Sequence, residues 1–406
     1  MINVIGLGYI GLPTALMFAS HGVEVVGTDI SEPLVATLNA GKTTFEEKGL
    51  DELFAAAVAK NIRFTTEYMT TDTYIIAVAT PYDTDSKRVD ASYVQAAVRN
   101  VLAVAPKGAV VVIESTVSPG TIDRYVRPIL AEAGLTAGED VHLVHAPERI
   151  IPGNMVYELE HNARTIGADD PQIGQRVRAL YASFCLGDIE VTDIRTAEMT
   201  KVVENTFRDI NIAYANELAK ICRRDNMDVY EIIRIANKHP RVNILTPGPG
   251  VGGHCISVDP WFLVGDYPSL ANLIKQARLV NDSMPDFVLE RVSDVMAENG
   301  LTDVSRVGLY GLTYKEDVDD VRESPTLQLL DSMRRHLASG VQVYDPFVTR
   351  DIVANQHHDL DAFLNACDLV VVMVGHSQLR QHPELLAGKI VLDTRNICRG
   401  SGVYRL

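Results

Sequence analysis

The first half of the chain alternates short apolar runs with stretches of helical periodicity. Residues 12–20 form the first helical stretch, and the apolar runs cover residues 1–5, 23–27, 74–79, 110–114, 141–145 and 164–167. Short apolar runs separated by helices are typical of strands that are buried on both faces of a sheet. We therefore expect residues 1 to about 195 to form a doubly wound parallel sheet.

Residues 196 to about 222 carry one long helical pattern without glycine or proline. Its apolar stripe comprises Met199, Val203, Phe207, Ile210, Tyr214 and Leu218. Other faces of this helix are apolar too, at Val202, Ile212 and Ala215. Because a helix that is apolar all round must be buried, we expect it to connect two domains and to form the interface of a homodimer or a higher homo-oligomer.

The second half begins with residues 223–300, which are mostly helical in pattern. A second α/β unit follows, with strands predicted at 306–311, 341–344, 369–374 and 389–393. The expected fold class is α/β, with two Rossmann-like doubly wound domains joined by a long central helix and a helical middle domain. The expected domains are residues 1–195, 196–300 and 301–406. The last of these either binds a nucleotide with a different phosphate geometry or is purely structural.

Composition narrows the class of protein. The chain has 406 residues, 47% of them hydrophobic and 22% charged, which is ordinary for a globular protein. A formal net charge of −16 argues against nucleic acid or an acidic membrane surface as a partner, but not against small anionic ligands. The five cysteines are widely spaced and form no C-x-x-C pair, so we expect a reduced, cytoplasmic protein without a bound metal.

A glycine-rich loop follows the first predicted strand and precedes the first predicted helix. It has the pattern G-x-G-x-x-G and comprises Gly6, Gly8, Tyr9, Ile10 and Gly11. Such a loop brings a pyrophosphate close to the backbone and to a helix N-terminus. Asp29, at the end of the next strand, can accept hydrogen bonds from a ribose 2′-OH and would repel a 2′-phosphate. We expect NAD rather than NADP; the alternative is a glycine turn that binds no phosphate.

A second glycine-rich loop delivers one cysteine. Residues 247–255 contain two prolines and four glycines and end at Cys255. Such a segment is neither a helix nor a central strand, and its glycines let the backbone pass close to a ligand. A thiol at the start of a following turn would be biased toward thiolate by backbone N–H groups. Cys255 is therefore either a nucleophile or a buried structural cysteine.

Polar residues follow several of the predicted strands. Thr80, Thr116 and Glu148 each come after one strand of the first sheet. In open α/β sheets, ligands bind at the carboxyl ends of the strands. We therefore expect these three side chains to line the same crevice as the first glycine loop.

The long helix also carries polar residues among its apolar ones. Lys201 and Asn205 lie four positions apart and share a face, which Asp209 extends by another turn. These side chains either make hydrogen bonds between helices or serve a reaction. His145 and His254 are the histidines nearest the other motifs, and we interpret both as structural.

Taken together, these motifs resemble the UDP-glucose/GDP-mannose dehydrogenase family over essentially the whole chain. The residues that carry the resemblance are Gly6 to Gly11, Thr80-Pro81, Ser115-Thr116 with Pro119-Gly120-Thr121, Pro147-Glu148, Lys201 with Asn205, Gly252-Gly253-His254-Cys255 with Asp259, and Gly311-Leu312 through Lys315 to Arg322-Glu323-Ser324-Pro325. The resemblance implies a two-step oxidation of the C6 alcohol of a nucleotide sugar to a carboxylate, with two NAD.

The resemblance also implies roles for individual residues. Cys255 would attack the intermediate aldehyde to give a thiohemiacetal and then a thioester, which water hydrolyses. Lys201 would stabilise the developing oxyanion, and Asn205 would hold the reacting oxygen. Asp259 and Thr116 would position the water.

Further contacts are implied by the same motifs. Glu148 is a candidate general base. Lys315 would meet the diphosphate of the sugar nucleotide, Arg322 would meet phosphates at an interdomain cleft, and Arg241 would reach the active site of a neighbouring subunit. The expected cofactor contacts are Gly6, Gly8, Tyr9, Ile10, Gly11, Asp29, Thr80, Thr116 and Arg322. The expected substrate contacts are Glu148, Arg149, Lys201, Asn205, Arg241, Asn243 and Lys315.

Some positions depart from the pattern of the UDP-glucose branch. They are Val251, the run from Ser257 to Trp261, and the run from Arg149 to Gly153. With residues 195–199 and 207–213, they resemble the branch that oxidises UDP-2-acetamido sugars for bacterial surface polysaccharides. The expected substrate is UDP-N-acetyl-D-mannosamine, and the alternatives are UDP-N-acetylglucosamine and UDP-glucose.

Two other classes of protein share part of the pattern. A non-catalytic module that senses NAD needs only the first domain and gives no reason for Cys255, Lys201 and Asn205 together. A two-electron hydroxyacid dehydrogenase needs neither the cysteine nor the second α/β domain. The number of NADH formed per substrate separates the second class from a four-electron enzyme.

Overall fold

The computed structural model describes residues 1–60, 62–151, 153–336 and 340–406, which fold into two compact units, Met1–Glu204 and Asn205–Leu406. The helices are α1 Gly11–Ser20, α2 Glu32–Asn39, α3 Leu50–Val58, α4 Ser92–Leu102, α5 Arg127–Glu132, α6 Met155–His161, α7 Pro171–Tyr181, α8 Ile194–Arg224, α9 Val229–Ala236, α10 Asp259–Asp266, α11 Asn272–Asp282, α12 Met284–Glu298, α13 Pro325–Arg335, α14 Leu360–Ala366 and α15 Ser377–Gln381. A π-helix over Ile122–Val126 leads into α5.

The strands fall into two sheets. They are β1 Ile2–Ile5, β2 Val25–Thr28, β3 Ile62–Thr65, β4 Thr73–Ile76, β5 Ala109–Ile113, β6 Val141–His145, β7 Arg164–Ala168, β8 Ile189–Thr192, β9 Val307–Tyr310, β10 Gln342–Tyr344, β11 Gln356–His357, β12 Leu369–Val372, β13 Ile390–Asp393 and β14 Val403–Arg405. The predicted strands lie within a few residues of these bounds, and the predicted α/β class is confirmed.

The sheet of the first unit has eight strands in the order β3-β2-β1-β4-β5-β6-β7-β8. Apolar side chains on both of its faces pack under the helices in two clusters. The prediction that this sheet is wholly parallel is wrong at one place, because β7 runs antiparallel to β6. A strand buried on both faces reads as a continuous apolar run in either direction, so the sequence pattern could not give its direction.

The second unit has a six-stranded parallel sheet in the order β11-β10-β9-β12-β13-β14. Its core packs α12 and α13 against one face of this sheet and α14 against the other. The division of the chain into three domains at residues 195 and 300 stays a prediction. None of the helices in the described parts of the chain is both long and apolar enough to cross a membrane.

Helix α8 begins in the first unit and ends in the second, and its 31 residues extend slightly beyond the predicted range on both sides. The prediction that it is buried on every face does not hold within one chain. Four large apolar side chains on α8 are 47%, 67%, 53% and 49% exposed; they are Val203, Phe207, Tyr214 and Ile221. The last three recur every seven residues, as in helices that pack against another helix.

Candidate active site

Each of the three glycines in the first loop occupies its position for a different structural reason. Gly6 has a φ of +86°, and a Cβ there would lie 2.8 Å from the Ala77 carbonyl oxygen. A Cβ on Gly11, the first residue of α1, would lie 1.8 Å from the Gly6 carbonyl oxygen. A Cβ on Gly8 would meet no atom within 4 Å. The outer glycines thus close the turn, while Gly8 leaves room for a pyrophosphate beside the N-terminus of α1.

Asp29 stands at the end of β2 and holds this loop in place. Its Oδ2 accepts a hydrogen bond from the Leu7 backbone N–H at 2.8 Å, and its Oδ1 accepts one from Ser31 at 2.9 Å. The side chain is only half-buried, and each carboxylate oxygen can accept a second bond. Asp29 can therefore bind a ribose diol while it orders the loop that meets the phosphates.

Close to the loop, Tyr9 is held by an acidic residue that sequence reasoning did not single out. Its hydroxyl donates to Glu47 Oε2 at 2.8 Å, and the same carboxylate accepts the backbone N–H of Gly153 at 2.9 Å. Ile10 is half-buried beside it and occupies the N-cap position of α1. Pro152, which belongs to one of the branch-specific runs, lies outside the described residues.

Thr80 and Thr116 meet at the carboxyl ends of β4 and β5. The Thr80 hydroxyl donates to the Thr116 carbonyl oxygen at 2.7 Å, and the Ser115 hydroxyl donates to the Val78 carbonyl oxygen at 2.6 Å. The structure therefore brings these two predicted residues together, at the same edge of the sheet as the loop that follows β1.

Glu148 is buried, with hydrogen bonds to one carboxylate oxygen and an ion pair at the other. Oε1 accepts the backbone N–H groups of Arg149 and Ile150 at 2.6 and 3.2 Å, and Oε2 lies 2.5 Å from Nη2 of Arg164. Arg164, the first residue of β7, is a buried arginine that sequence reasoning missed. Its signal in the sequence is a charged residue that opens an otherwise apolar strand.

Arg149, a predicted substrate contact, is engaged within the first unit. Its guanidinium donates to the Ala163 carbonyl oxygen at 3.0 Å and to Thr165 Oγ1 at 2.7 Å. It also forms an ion pair with Glu204, on α8, at 2.8 Å. These contacts tie the segment that carries Glu148 to the helix that carries Lys201.

Lys201 is 6% exposed, and no partner for its ammonium group is found among the residues that the structure describes. A buried ammonium is costly unless it meets a negative charge, so Lys201 is suited to a ligand that brings one. One turn earlier, Glu198 accepts the backbone N–H groups of Gly120 and Ile122 at 2.5 and 3.0 Å. Burial raises the pKa of Glu198 to about 7.

Asn205 points from α8 to the first residue of α10. Its side-chain amide donates to Asp259 Oδ2 at 2.5 Å, and the Asp259 backbone N–H donates to the Cys255 carbonyl oxygen at 2.8 Å. Asp209, one turn further along α8, forms a buried ion pair with Arg278 at 2.6 Å. Asp209 therefore makes the contact between helices that was one interpretation of this polar face. Asn205 also makes a hydrogen bond between helices.

Cys255 is exposed, so it is not a buried structural cysteine. Its carbonyl oxygen accepts hydrogen bonds from the backbone N–H groups of Val258 and Asp259, which places the thiol at the start of the turn that opens α10. The prediction of a cysteine that ends a glycine loop and begins a turn is confirmed.

The paired glycines before Cys255 are required by packing. A Cβ on Gly252 would lie 2.5 Å from the Glu323 carbonyl oxygen, and one on Gly253, where φ is +83°, would lie 2.8 Å from Cε2 of Tyr314. The Gly253 N–H donates to the Arg322 carbonyl oxygen at 3.0 Å. The cysteine loop thus rests on the 314–323 segment, and Tyr314 is a second residue that sequence reasoning missed.

The remaining predicted contacts lie on loops of the second unit. Lys315 is half-buried, and the Arg322 guanidinium is paired with Asp320 at 2.6 Å, an interaction that raises the pKa of Arg322. Arg241 and Asn243 are exposed on the segment after α9. The structure therefore leaves Arg241 and Asn243 open to solvent within one chain.

The first loop of the second sheet is built differently from that of the first. Asp345, after β10, corresponds to Asp29, and its Oδ2 accepts the backbone N–H groups of Leu312 and Thr313 at 2.6 and 3.1 Å. The same oxygen also meets His376 at 3.2 Å, and the carboxylate is fully buried. The buried Asp345 carboxylate is therefore fully engaged in holding its own loop. Unlike Asp29, it is not accessible to a ribose.

The two histidines differ in their surroundings. His145 is fully buried, with Nδ1 2.9 Å from the Ile113 carbonyl oxygen, and burial lowers its pKa to about 4. His254 lies beside Cys255 on the exposed loop, and burial of part of its ring lowers its pKa. The structural interpretation fits His145, which is neutral near pH 7 and holds β5 to β6.

Comparison with known proteins agrees with this arrangement. Sequence models of the UDP-glucose/GDP-mannose dehydrogenase family match residues 1–185 (NAD binding domain), 195–283 (central domain) and 308–400 (UDP binding domain). The chain belongs to this family. It is accordingly an NAD-dependent UDP-sugar dehydrogenase, and both the open Gly8 and the half-buried Asp29 fit the cofactor.

Individual relatives align over nearly the whole chain. An NDP-N-acetyl-D-galactosaminuronic acid dehydrogenase from Ralstonia nicotianae is 43% identical over 98% of this chain and 96% of the relative. A UDP-N-acetyl-D-mannosamine dehydrogenase from Salmonella typhi is 41% identical over 98% and 99%. The solved UDP-N-acetyl-mannosamine dehydrogenase from Staphylococcus aureus is 39% identical and superposes with a TM-score of 0.89, over 100% of this chain and 97% of that one.

Proposed function

We propose that the protein oxidises the C6 alcohol of a UDP-2-acetamido sugar to the carboxylate, in two steps and with two NAD. UDP-N-acetyl-D-mannosamine is the first substrate that we propose. The observation that carries the proposal is the exposed Cys255 thiol on a glycine loop, followed by a turn whose Asp259 is bonded to Asn205. A two-electron dehydrogenase has no use for such a thiol.

The choice of sugar rests on the branch-specific residues and on the relatives. Relatives at 40–43% identity act, by their names, on N-acetylmannosamine or N-acetylgalactosaminuronic acid derivatives. Both carry an acetamido group at C2. The Ralstonia relative therefore favours a second candidate, an N-acetylgalactosamine derivative, beside UDP-N-acetylglucosamine and UDP-glucose.

In the first step the C6 alcohol loses a hydride and a proton and becomes an aldehyde. When bound, NAD accepts a hydride in each of the two oxidations. Lys201 is suited to stabilise the negative charge that develops on the C6 oxygen, because it is buried and its ammonium group has no partner among the described residues. Glu148 is the group that we propose to take up the proton.

In the second step the Cys255 thiolate adds to the aldehyde carbonyl carbon, and the C–S bond gives a thiohemiacetal. Loss of a hydride from that carbon, in the alkoxide form of the thiohemiacetal, leaves a thioester on Cys255. Water then adds to the thioester carbonyl, the C–S bond breaks, and the carboxylate, two protons and the Cys255 thiolate are released. We assign the positioning of this water to Asp259 and Thr116, and that of the reacting oxygen to Asn205.

Ligand recognition is divided between the loops already described. We assign NAD to Asp29 and the glycine loop, with Thr80 and Arg322 as further contacts. We assign the sugar nucleotide to Lys315 and Arg149, with Arg241 and Asn243 supplied to a neighbouring subunit. Arg149 would act chiefly by holding the segment of Glu148, since its guanidinium is already bonded to Ala163, Thr165 and Glu204.

We propose a homodimer or a higher homo-oligomer built on α8. The exposed stripe of Val203, Phe207, Tyr214 and Ile221 is large and apolar, and its seven-residue spacing suits packing against a second helix. The occupant that we propose is α8 of another copy. We also place the enzyme in the cytoplasm, in the synthesis of a surface polysaccharide.

The test of the proposal is a panel of UDP-sugars assayed side by side with NAD. The panel contains UDP-N-acetylmannosamine, UDP-N-acetylgalactosamine, UDP-N-acetylglucosamine and UDP-glucose. A site shaped for an acetamido group leaves polar groups unpaired when UDP-glucose binds, which costs about 1–3 kcal/mol per group. We expect UDP-glucose to have a kcat/KM at least about tenfold lower than the best acetamido sugar. UDP-glucose as the best substrate would place the chain on another branch.

A further inference from the structure

The reversed strand β7 brings a buried arginine to the edge of the sheet where ligands bind. The antiparallel pairing places Val144 opposite Ala168 and His145 opposite Gly167. Extended by three residues, this register places Glu148 opposite Arg164. The side chains agree with it, because Nη2 of Arg164 lies 2.5 Å from Oε2 of Glu148.

The direction of β7 decides where Arg164 lies. In a parallel strand the first residue lies at the edge where neighbouring strands begin, far from their carboxyl ends. Because β7 runs the other way, its first residue lies beside the segment that follows β6. Arg164 thus reaches the level at which Thr80, Thr116 and Glu148 leave their strands.

Arg164 is enclosed by aromatic rings and two carboxylates. It is 4% exposed, and its guanidinium carbon lies 4.7 Å from the ring centroid of Tyr181 and 5.3 Å from that of Phe184. Its Nη1 lies 3.8 Å from Oε1 of Glu114, at the end of β5. Although burial by itself lowers the pKa of Arg164, the carboxylates, Glu148 first, raise it above its usual value, so the guanidinium stays charged.

Two carboxylates share this one cation. Burial and the neighbouring charge of Glu148 raise the pKa of Glu114 to about 8, and the Tyr181 hydroxyl donates to Glu114 Oε1 at 2.9 Å. The other groups that face the cluster carry no charge near pH 7: burial raises the pKa of Tyr181, and Thr14 on α1 is a hydroxyl. Cys185, after α7, adds a thiol.

We propose that Arg164 is a positioning residue for the oxidation: its guanidinium aims the Glu148 carboxylate at the carboxyl edge of the sheet and is shared with Glu114. The proposal rests on the role of Glu148 as the proton acceptor. When the O–H bond of the C6 alcohol breaks and its proton moves to Glu148, that carboxyl becomes neutral until it passes the proton to solvent and returns to the carboxylate that pairs with Arg164.

Three variants test the proposal. Arg164→Lys keeps the charge but shortens the side chain and removes the forked geometry, and Glu114→Gln fixes Glu114 in a neutral form. Arg291→Lys is the matched control, since Arg291 is equally buried but belongs to the second unit and is bonded to Asp294 and the Arg405 carbonyl oxygen. The kcat and KM are measured from pH 6 to pH 10 after the unmodified enzyme has been shown to reduce NAD with a UDP-sugar.

We expect Arg164→Lys to lower kcat about tenfold or more with little change in KM, and to shift the acidic limb of the kcat profile to higher pH. Glu114→Gln should shift that limb to lower pH, because Glu148 no longer shares its cation, and Arg291→Lys should leave the profile unchanged. Wild-type profiles in both site variants would overturn the proposal. If Arg164→Lys does not fold, the profile of Glu114→Gln decides alone.

Thermal unfolding provides a readout that needs no substrate. A carboxyl whose pKa is raised by folding stabilises the protein most at low pH, and this contribution is lost as the pH rises through about 8 for Glu114. Between pH 6.5 and pH 9, the Tm of the Glu114→Gln variant should therefore fall less than the Tm of the unmodified protein. An equal fall in Tm for both proteins would overturn the sharing of Arg164 between Glu148 and Glu114. This readout holds even if no UDP-sugar is oxidised, a result that would separately refute the proposed function.

Discussion

Asn205 and Asp259 are joined by a hydrogen bond of 2.5 Å from the side-chain amide to the carboxylate, although they are 54 residues apart. Asp259 is buried at the start of α10, and its backbone N–H is bonded to the Cys255 carbonyl oxygen. One face of α8 therefore fixes the turn on which the cysteine is carried. A change in this contact should alter the reaction rather than the cofactor site.

Asn205→Asp should lower kcat about tenfold or more, because two buried carboxylates this close cannot both be ionised. The affinity for NAD, measured by fluorescence titration, should not change. Asn211→Asp is the control: Asn211 lies on the same helix, and its side-chain amide donates to the Phe207 carbonyl oxygen. Normal turnover by Asn205→Asp would mean that this contact has no part in catalysis.

Asp29 should decide between NAD and NADP. Its carboxylate can bind a ribose diol but repels a 2′-phosphate, so the unmodified enzyme should prefer NAD clearly. Asp29→Ala should raise the KM for NAD about tenfold or more, both because the diol loses its acceptor and because Leu7 loses the bond that orders the loop. Steady-state kinetics with both cofactors measure this preference. Equal activity of the unmodified enzyme with NADP is the result that contradicts it.

The exposed stripe on α8 should hold the oligomer together. The double variant Phe207→Asp/Tyr214→Asp should be a monomer, because the cost of burying a carboxylate in an apolar interface is not compensated by a partner charge. Light scattering measures the mass. Tyr93→Asp, which changes an equally exposed aromatic residue on α4, should leave the mass unchanged. An unmodified protein that is monomeric at micromolar concentration and fully active would contradict the proposed interface.

His145 should make stability depend on pH below about 6.5. Its pKa is about 4 in the folded protein, against an ordinary value of 6.5, so the unfolded chain binds the proton more readily. This contribution to stability is therefore complete above pH 6.5 and is lost as the pH falls toward 4. His145→Gln should show a smaller drop in Tm between pH 6.5 and pH 4.5 than the unmodified protein. An identical drop would mean that His145 is not the group responsible.

Much of the fold and part of the site could be predicted from the sequence, for identifiable reasons. Apolar periodicity gave α8 and most of the strands, but not the short strands β3, β8, β11 and β14, which lie toward the edges of the two sheets. The spacing of Gly6, Gly8 and Gly11 indicated the dinucleotide loop, because Gly6 and Gly11 answer a local requirement of the backbone and Gly8 leaves room for a ligand. The direction of β7 could not be predicted, since burial on both faces hides it. Arg164 and Tyr314 were missed for a related reason: their roles depend on contacts with residues distant in sequence.

The most direct test of a four-electron oxidation through Cys255 is the number of NADH formed per UDP-sugar consumed. With limiting UDP-N-acetylmannosamine, or whichever acetamido sugar the panel selects, and excess NAD, the account predicts two NADH and one uronic acid per sugar. It further predicts that Cys255→Ala forms no uronic acid while still binding the UDP-sugar. One NADH per sugar with an aldehyde or ketone as the final product, or normal uronic acid formation by Cys255→Ala, would contradict it.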